Sequence, residues 1–306
     1  MRVGFKTGPQ SWAEGQKIVS QLGASFCEVW FAVEESEKYT DALQWFRARN
    51  VDLGLHHWGI CEGGIKANLA TDNNAVREQT INQIKQTINI AADIDCVYVN
   101  AHPGAACLEK LQFDPLRQEL VPQSCTTPER AAELFLAAAT ELRRYAEEKQ
   151  VLLTFETIVG AEKVDDVDRH NIYVSHTISP ETLSQFAKDG GHLANDIAHT
   201  ASFFSLNEAA PAAIWSRLMA FTRAVKQSTK LLHINRVLPP YNGTDSHDGI
   251  SEADWQAEGI PTREQLREFL QVFKNRDDVF VIPEPKGDMA GNFQALQALV
   301  RMVEAS

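Results

Sequence analysis

Short apolar segments alternate with longer segments of helical periodicity along the whole chain of 306 residues. This alternation is typical of strand–helix units arranged around a parallel sheet. The apolar segments predict strands at residues 3–6, 26–31, 52–56, 96–101, 151–156, 192–196, 231–235 and 279–283. The helical segments are residues 11–22, 40–49, 73–92, 127–149, 179–188, 214–227, 262–273 and 292–304. Eight strands and eight helices in strict alternation predict a single-domain (β/α)8 barrel over residues 1–306.

The amino-acid composition limits the kinds of molecule that the protein is expected to bind. The formal net charge is −12, which disfavours a non-specific nucleic-acid coat built on clustered Lys and Arg, although a local basic groove stays open. No apolar run reaches membrane-spanning length and residues 1–5 lead directly into a strand, so we expect no membrane segment and no signal peptide. The five cysteines form no Cys-x-x-Cys pair. We therefore expect unpaired thiols in a cytoplasmic protein rather than a disulfide framework.

The predicted loops after the strands differ in length. Those after the fourth, fifth and seventh strands are long, spanning residues 104–126, 157–177 and 236–261, whereas the return loops at the opposite end are short. In a (β/α)8 barrel the loops at the carboxyl ends of the strands build the active-site face. We therefore expect the functional residues where the strands end.

Six consecutive predicted strands, the third to the eighth, end in residues of the kinds that bind metal ions. These residues are His56 or His57, His102, Glu156, Asp196 with His199, His233 and Glu284, and the loop after the seventh strand adds Asp245 and His247. Each strand is apolar, so buried carboxylates and imidazoles at its end need partners, which a metal cluster would supply. Such ligand mixtures suit Zn²⁺, Mn²⁺, Fe²⁺ or Co²⁺.

Each residue alone also has an ordinary structural explanation. His102 before Pro-Gly could end a strand, Glu284 between two prolines could lie in an exposed turn, and Asp196 could cap the helix that follows. Their recurrence at six successive strand ends favours a common function over six separate coincidences.

The ordered phrases Asn68-Leu-Ala, His102-Pro-Gly, Glu156, Asp196-Ile-Ala-His199, His233-Ile-Asn, Asp245-Ser-His247 and Glu284-Pro resemble those of the xylose-isomerase-like TIM barrels. This superfamily includes sugar isomerases and epimerases and endonuclease IV, the second family of apurinic endonucleases. The resemblance covers nearly the whole chain. It implies that Glu156, Asp196, His233 and Glu284 bind one divalent metal ion, as in sugar epimerases. It also implies that His56, His102, His199, Asp245 and His247 extend this set to a centre of up to three ions, as in endonuclease IV.

The ligand of the third strand is ambiguous by one residue. Alternation from Leu53 and Leu55 places His57 on their face of the strand, whereas the histidine of the family follows the apolar run directly and matches His56. We favour His56 and keep His57 as an alternative ligand or a neighbour of the substrate. Trp58, Arg236 and Lys286 are further candidates to hold the substrate.

Some positions depart from the endonuclease IV pattern. Arg236 follows Asn235 where such proteins usually have Asp, and Asp245-Ser-His247 lacks their central Arg. The loop 58–66, WGICEGGIK, lacks the Pro-Tyr phrase associated with insertion into DNA. Sugar isomerases, in turn, often lack the additional Asp-x-His pair.

Two hypotheses follow. The favoured one is a metal-dependent isomerase or epimerase of a small carbohydrate, sugar phosphate or polyol. In it, Glu156 and Glu284 remove and return a proton while the metal stabilises an enediolate. The alternative is an endonuclease IV-like phosphoester hydrolase with two or three metal ions. The net charge and Arg236 favour a small-molecule substrate over nucleic acid, and homo-oligomer formation stays open.

Overall fold

The chain folds as a parallel barrel, as predicted. The computed structural model describes residues 1–113, 116–121, 124–163, 172–174 and 176–306. The barrel strands, numbered first to eighth, are Arg2–Val3 with Phe5–Thr7, then Phe26–Phe31, Asp52–His57, Tyr98–Ala101, Leu152–Glu156, His192–Asp196, Thr229–Ile234 and Phe280–Pro283. Neighbouring strands pair in parallel, and the first strand joins the ring to both the eighth and the second.

The first strand is interrupted at Gly4, where the ring of Phe26 approaches the backbone. A Cβ atom on Gly4 would lie 2.2 Å from that ring. A glycine is therefore required at this position for the aromatic side chain to fit inside the barrel.

Nine helices surround the described part of the barrel. They are α1 (Trp12–Leu22), α2 (Thr40–Arg47), α3 (Asn74–Asp93), α4 (Pro128–Glu148), α5 (Pro180–Lys188), α6 (Ile197–Ser205), α7 (Pro211–Val225), α8 (Arg263–Gln271) and α9 (Met289–Ala305). Eight of them match the predicted helices within a few residues. The short α6 was not predicted, because it follows the sixth strand without a turn. Thr127 and Ser179 cap α4 and α5, since their side chains accept hydrogen bonds from Arg130 N and Thr182 N.

Side chains alternate between the two faces of the barrel strands. Residues such as Leu53 and Leu55 point outward and pack with the helices in the main core. Inside the barrel, an apolar layer is formed by Phe26, Tyr98, Ala194, Leu231, Phe280 and Ile282. This layer closes the floor beneath the carboxyl ends of the strands, so the polar residues above it are separated from the amino-terminal end.

The loops after the third and fourth strands pair beside the barrel mouth. The strands Ile60–Cys61, Ile65–Lys66, Glu109–Phe113 and Leu116–Leu120 form a four-stranded antiparallel sheet, which we call the flap. The predicted long loops include residues 114–115, 122–123, 164–171 and 175, which lie outside the described residues. Within the described ranges, no helix is both long and apolar enough to cross a membrane.

A disulfide at the base of the flap corrects one expectation. Cys107 and Cys125, 18 residues apart, are joined, whereas the sequence predicted unpaired thiols throughout. The flap folds the chain back on itself and brings the two cysteines together, a proximity that their spacing in the sequence does not reveal. Cys27, Cys61 and Cys96 are free and buried, as expected.

Candidate metal centre

Three neighbouring groups of ligand-type side chains lie below a cleft of about 1050 Å³ at the carboxyl ends of the strands, next to a fourth group formed by Glu28, His56 and His233. Within each group, the residues offer ligand atoms that all lie within 4.8 Å of one another. We call the first three groups site A (Glu156, Asp196, His233 and Glu284), site B (His56, His102 and Glu156) and site C (His199, Asp245 and His247). All nine predicted ligands therefore converge on one rim of the barrel. That they bind metal stays a prediction.

Site A contains buried polar atoms that face one another without hydrogen bonding. His233 Nδ1 lies 3.1 Å from Oε1 of Glu156 and 3.0 Å from Oε2 of Glu284. None of these three atoms has a hydrogen-bond partner. Asp196 Oδ2 lies 3.9 Å from the same nitrogen. A buried polar atom without a partner costs about 1–3 kcal/mol, so such atoms are rare and require an explanation.

The donor set of site A fits a divalent cation. Donors that share one ion at about 2.1 Å lie about 3–3.5 Å apart in tetrahedral or octahedral geometry. The observed separations of 3.0 and 3.1 Å agree with this spacing. Three carboxylates and one imidazole would satisfy Zn²⁺, Mn²⁺, Fe²⁺ or Co²⁺.

Asp196 caps a helix with one oxygen and faces site A with the other. Its Oδ1 accepts a hydrogen bond of 2.8 Å from the backbone N–H of His199 and caps α6, while its Oδ2 faces site A. The helix cap therefore fixes the direction in which the second oxygen points.

Site C is formed by α6 and the loop after the seventh strand. Asp245 Oδ2 lies 3.6 Å from Nε2 of His199 and 3.2 Å from Nε2 of His247. This oxygen is buried and has no hydrogen-bond partner. Nδ1 of His199 lies 2.9 Å from the carbonyl oxygen of Thr157 and donates to it, which directs Nε2 toward Asp245. Site C therefore has the donor chemistry for a second ion.

The electrostatics of these sites reflect their many carboxylates. Burial raises the pKa of Asp196 to about 6. Burial alone would lower the pKa of His199, but Asp196 and Glu156 raise it to about 10. Burial likewise opposes a charge on His233, yet Glu156 and Glu28 raise its pKa well above the usual value. A divalent cation competes with these protons for the same lone pairs, so we expect metal binding to release protons.

Glu28, on the second strand, was missed by the sequence reasoning. It is fully buried, and its carboxylate lies 3.0 Å from Nε2 of His233 and 3.2 Å from Nδ1 of His56. The hydroxyl of Tyr98 donates to it at 2.8 Å. Burial alone would raise the pKa of Glu28, but His233 and Lys6 lower it, so the carboxylate is ionised. A carboxylate in this position orients the imidazoles that carry ligand atoms.

Lys6, on the first strand, was also missed. Its ammonium contacts Oε1 of Glu284, lies 2.9 Å from Nδ1 of His56 and 3.5 Å from Oε1 of Glu28. It also lies 4.4 Å from the ring centre of Trp30. Burial alone would lower the pKa of Lys6, but Glu284 and Glu28 raise it, so the amine is protonated. For Lys6 and Glu28, the sequence feature that could have identified them is a charged residue on the inward face of an otherwise apolar strand.

His57 and Arg236 lie away from the cleft. His57 points outward with Leu55, and its Nδ1 lies 2.9 Å from Oγ1 of Thr87 on α3. The prediction that His57 shares a face of the strand with Leu53 and Leu55 was therefore correct. That face packs against the helices and does not point into the barrel. His56 is the histidine that faces the ligands, as favoured.

Arg236 contradicts the expectation that it holds substrate. Its side chain is buried, and its guanidinium donates to Asp248 and to the carbonyl oxygens of Asp254, Ala257 and Pro261. All these partners belong to the loop after the seventh strand, which this arginine stabilises. Trp58 and Lys286 do line the cleft, and their contact with substrate stays a prediction.

Comparisons with known proteins agree with the fold. The family model described as "Xylose isomerase-like TIM barrel" matches residues 17–174. The solved structure of a D-tagatose 3-epimerase-like protein has a TM-score of 0.65 at 16% identity, with 100% of this chain and 99% of that one covered. Endonuclease IV from Thermus thermophilus gives 0.59 at 16% identity, with 99% and 100% covered. A further protein from Thermus thermophilus, soaked with ZnCl2, gives 0.62 at 17% identity, with 99% of each chain covered.

No curated protein matches the chain. The structural likenesses, at these low identities, establish the fold alone, whereas the family model covers more than half of the sequence. The chain belongs to the xylose isomerase-like TIM barrel family.

Proposed function

We propose that the protein is a divalent-metal-dependent isomerase or epimerase of a small carbohydrate. The observation that carries the proposal is the placement of Glu156 and Glu284 in site A. Each has one buried, unpaired oxygen about equally far from His233 Nδ1, at 3.1 and 3.0 Å. Two carboxylates thus flank one ligand point beneath an open cleft, an arrangement suited to moving a proton between two faces of a substrate.

The metal ion would be held by Glu156, Asp196, His233 and Glu284. When bound there, it would polarise adjacent carbonyl and hydroxyl oxygens of the substrate and stabilise the enediolate. Glu156 and Glu284 take the roles of proton acceptor and donor at carbon, one on each side. Trp30 and Trp58, whose rings lie 6.0 Å apart at the cleft wall, provide apolar surface for the carbon face of a sugar.

Solvent isotope exchange tests this function. The metal-loaded protein is incubated in D2O with a panel of ketopentoses and ketohexoses, and products are followed by NMR. The proposal predicts deuterium at the carbon next to the carbonyl together with an isomeric product, and loss of both after chelation. Glu156→Gln and Glu284→Gln should each lower the rate at least about 100-fold. Isomerisation without deuterium incorporation would count against the proposal. The absence of isomerisation with every sugar in the panel would also count against it.

Site C favours a second candidate, a phosphoester hydrolase. The unpaired Oδ2 of Asp245 beside His199 and His247 suits an additional ion, and hydrolases of this type use two or three. The direct assay is cleavage of duplex DNA that contains an abasic site, at physiological salt, with metal content measured in parallel. Cleavage with two or more ions per chain would replace the isomerase proposal.

A further inference from the structure

His56 and His233 share the carboxylate of Glu28 as a neighbour but differ in their other contacts. Both flank the buried carboxylate of Glu28, at 3.2 and 3.0 Å, and their rings stack at 5.5 Å. Only His56 also has the ammonium of Lys6 beside it, 2.9 Å from Nδ1.

For His233 the hydrogen bonding leaves one ring nitrogen facing site A. Its Nε2 lies 3.0 and 3.2 Å from the two oxygens of Glu28 and donates a proton to this carboxylate. Nδ1 is therefore the nitrogen at which a metal ion would replace a proton, and it is buried and without a hydrogen-bond partner. It faces the oxygens of Glu156 and Glu284 in site A.

For His56 the hydrogen bonding is reversed. Nδ1 lies 2.9 Å from the ammonium of Lys6, which can only donate, and 3.2 Å from Oε1 of Glu28, which can only accept. The shorter contact with Lys6 favours Nδ1 as an acceptor, with the ring proton on Nε2. A proton on Nδ1 would instead donate to Glu28 and leave the ammonium 2.9 Å from a nitrogen with no lone pair to accept its proton. With its proton on Nε2, His56 donates to Nε2 of His102, which lies 3.3 Å away.

Site B is consequently satisfied without a metal. Oε2 of Glu156, its third member, accepts a hydrogen bond of 2.5 Å from Asn100. Among the described residues, the buried atoms without a partner include members of sites A and C, but no nitrogen of His56 or His102 and not Oε2 of Glu156. The 3.3 Å distance between Nε2 of His56 and Nε2 of His102 would also suit two ligands of one ion. The position of the ring proton on His56 therefore decides whether site B can bind a metal ion.

We propose that Lys6 holds His56 in the tautomer that cannot bind metal and thereby keeps site B closed to a second cation. The inference rests on the proposed metal centre and adds the residue that limits its number of ions. The positive charge of Lys6 acts in the same direction, because it opposes a further cation nearby. With site B closed, Glu156 does not bridge two ions, which favours proton transfer over metal-assisted hydrolysis.

Metal stoichiometry tests the proposal without reference to activity. Wild type, Lys6→Met and Lys6→Arg are dialysed against micromolar free Co²⁺, and metal per chain is measured by atomic emission. We expect Lys6→Met to bind one more equivalent than wild type, and Lys6→Arg to match wild type, since arginine also has donors only. Lys286→Met, at the rim of the same cleft, is the matched control and should not change the count.

His102→Ala identifies the position of the additional ion. In the Lys6→Met background it should remove the extra equivalent, whereas in wild type it should change nothing. Equal counts in wild type and Lys6→Met would overturn the proposal, and so would loss of an equivalent in wild type with His102→Ala. A wild type that binds no metal at all would overturn the proposed function instead, whatever the effect of Lys6→Met.

The tautomer itself gives a second measurement. Long-range ¹⁵N–¹H NMR of the metal-free protein distinguishes the two neutral forms of His56. We expect the proton on Nε2 in wild type and on Nδ1 in Lys6→Met, where only Glu28 remains as a partner. Should Lys6→Met fail to fold, the wild-type tautomer and the wild-type His102→Ala count still decide, and a proton on Nδ1 in wild type would refute the proposal.

Discussion

Glu28 links the two imidazoles on which sites A and B depend. It accepts from His233 and lies next to His56, while Tyr98 holds its second oxygen from below. The ring of Tyr98 fits only because Gly54 has no side chain, since a Cβ atom there would lie 2.4 Å from it. Tyr98 and Glu28, on the fourth and second strands and facing into the barrel, thus support the imidazoles from beneath the candidate metal centre.

Glu28→Gln should weaken metal binding while preserving shape. A glutamine oxygen cannot take protons from the imidazole and the tyrosine as two carboxylate oxygens do, so His233 loses its fixed orientation. We expect the Kd for Co²⁺, measured by calorimetry, to rise about 10- to 100-fold. Glu62→Gln, exposed on the flap, is the control. An unchanged Kd in Glu28→Gln would show that this carboxylate does not support the site.

His57 should make the fold acid-sensitive. Burial, with a smaller contribution from His56, lowers its pKa from 6.5 to about 3. Between these values the unfolded chain binds a proton that the folded chain does not, so stability falls as the pH falls below 6.5. The loss approaches about 1.4 kcal/mol per pH unit. Urea unfolding at pH 7 and pH 5 should show a loss about 2 kcal/mol smaller in His57→Gln than in wild type. Parallel curves for the two proteins would contradict this.

At the residue scale, the sequence indicated the candidate ligands at strand ends but not the charged residues within strands that contact them. His102, Glu156, His233 and Glu284 end apolar runs and are therefore conspicuous. Lys6 and Glu28 lie inside such runs, and their significance depends on which face of the strand points into the barrel. That choice is made by closure of the barrel, which pattern alone does not supply.

At the scale of elements, Asn68 joins two loops at the mouth. Its Nδ2 donates to the carbonyl oxygens of Ala105 and Cys107, and its Oδ1 accepts from the backbone N–H groups of Ala70 and Ala105. The side chain is buried. It therefore fixes the start of the loop that carries the flap, whose residues Lys66, Glu109 and Leu111 line the cleft.

Asn68→Asp should loosen this junction. The substitution keeps both acceptor bonds but replaces two donors with a buried negative oxygen that faces carbonyl groups. We expect a loss of about 2–3 kcal/mol in the free energy of unfolding, together with faster hydrogen exchange at residues 105–111. Asn74→Asp, exposed at the start of α3, should be neutral or slightly stabilising. Unaltered exchange at residues 105–111 would contradict the role of Asn68.

The order of strands and helices was predictable because each barrel unit repeats the same local pattern. The flap and α6 were not. The flap strands are short and pair across two different loops, so no continuous alternation marks them. The disulfide depends on this same pairing and was missed for the same reason.

At the scale of the whole molecule, the apolar floor stabilises the barrel, whereas the polar rim carries the candidate metal ligands. Glu28, Glu156, Asp196, Asp245 and Glu284 bring five carboxylates together in a chain of net charge −12. Metal binding should therefore stabilise the folded state, because the ion neutralises charges that only folding brings together.

Chelation should lower the melting temperature by several degrees, and metal at about 1,000 times its Kd should add about 4 kcal/mol. Differential scanning calorimetry with EDTA and with Mn²⁺ measures the difference. His233→Ala removes a ligand of site A and should abolish most of the shift. A shift of equal size in that variant would place the stabilising ion elsewhere.

Anomalous diffraction from crystals loaded with Mn²⁺ or Zn²⁺ would show whether an ion binds in site A. We expect a peak within bonding distance of Oε1 of Glu156, Nδ1 of His233 and Oε2 of Glu284, with Asp196 as the fourth protein ligand. A map with no peak in site A at saturating metal, or with these three atoms bound only to protein or solvent, would contradict this expectation.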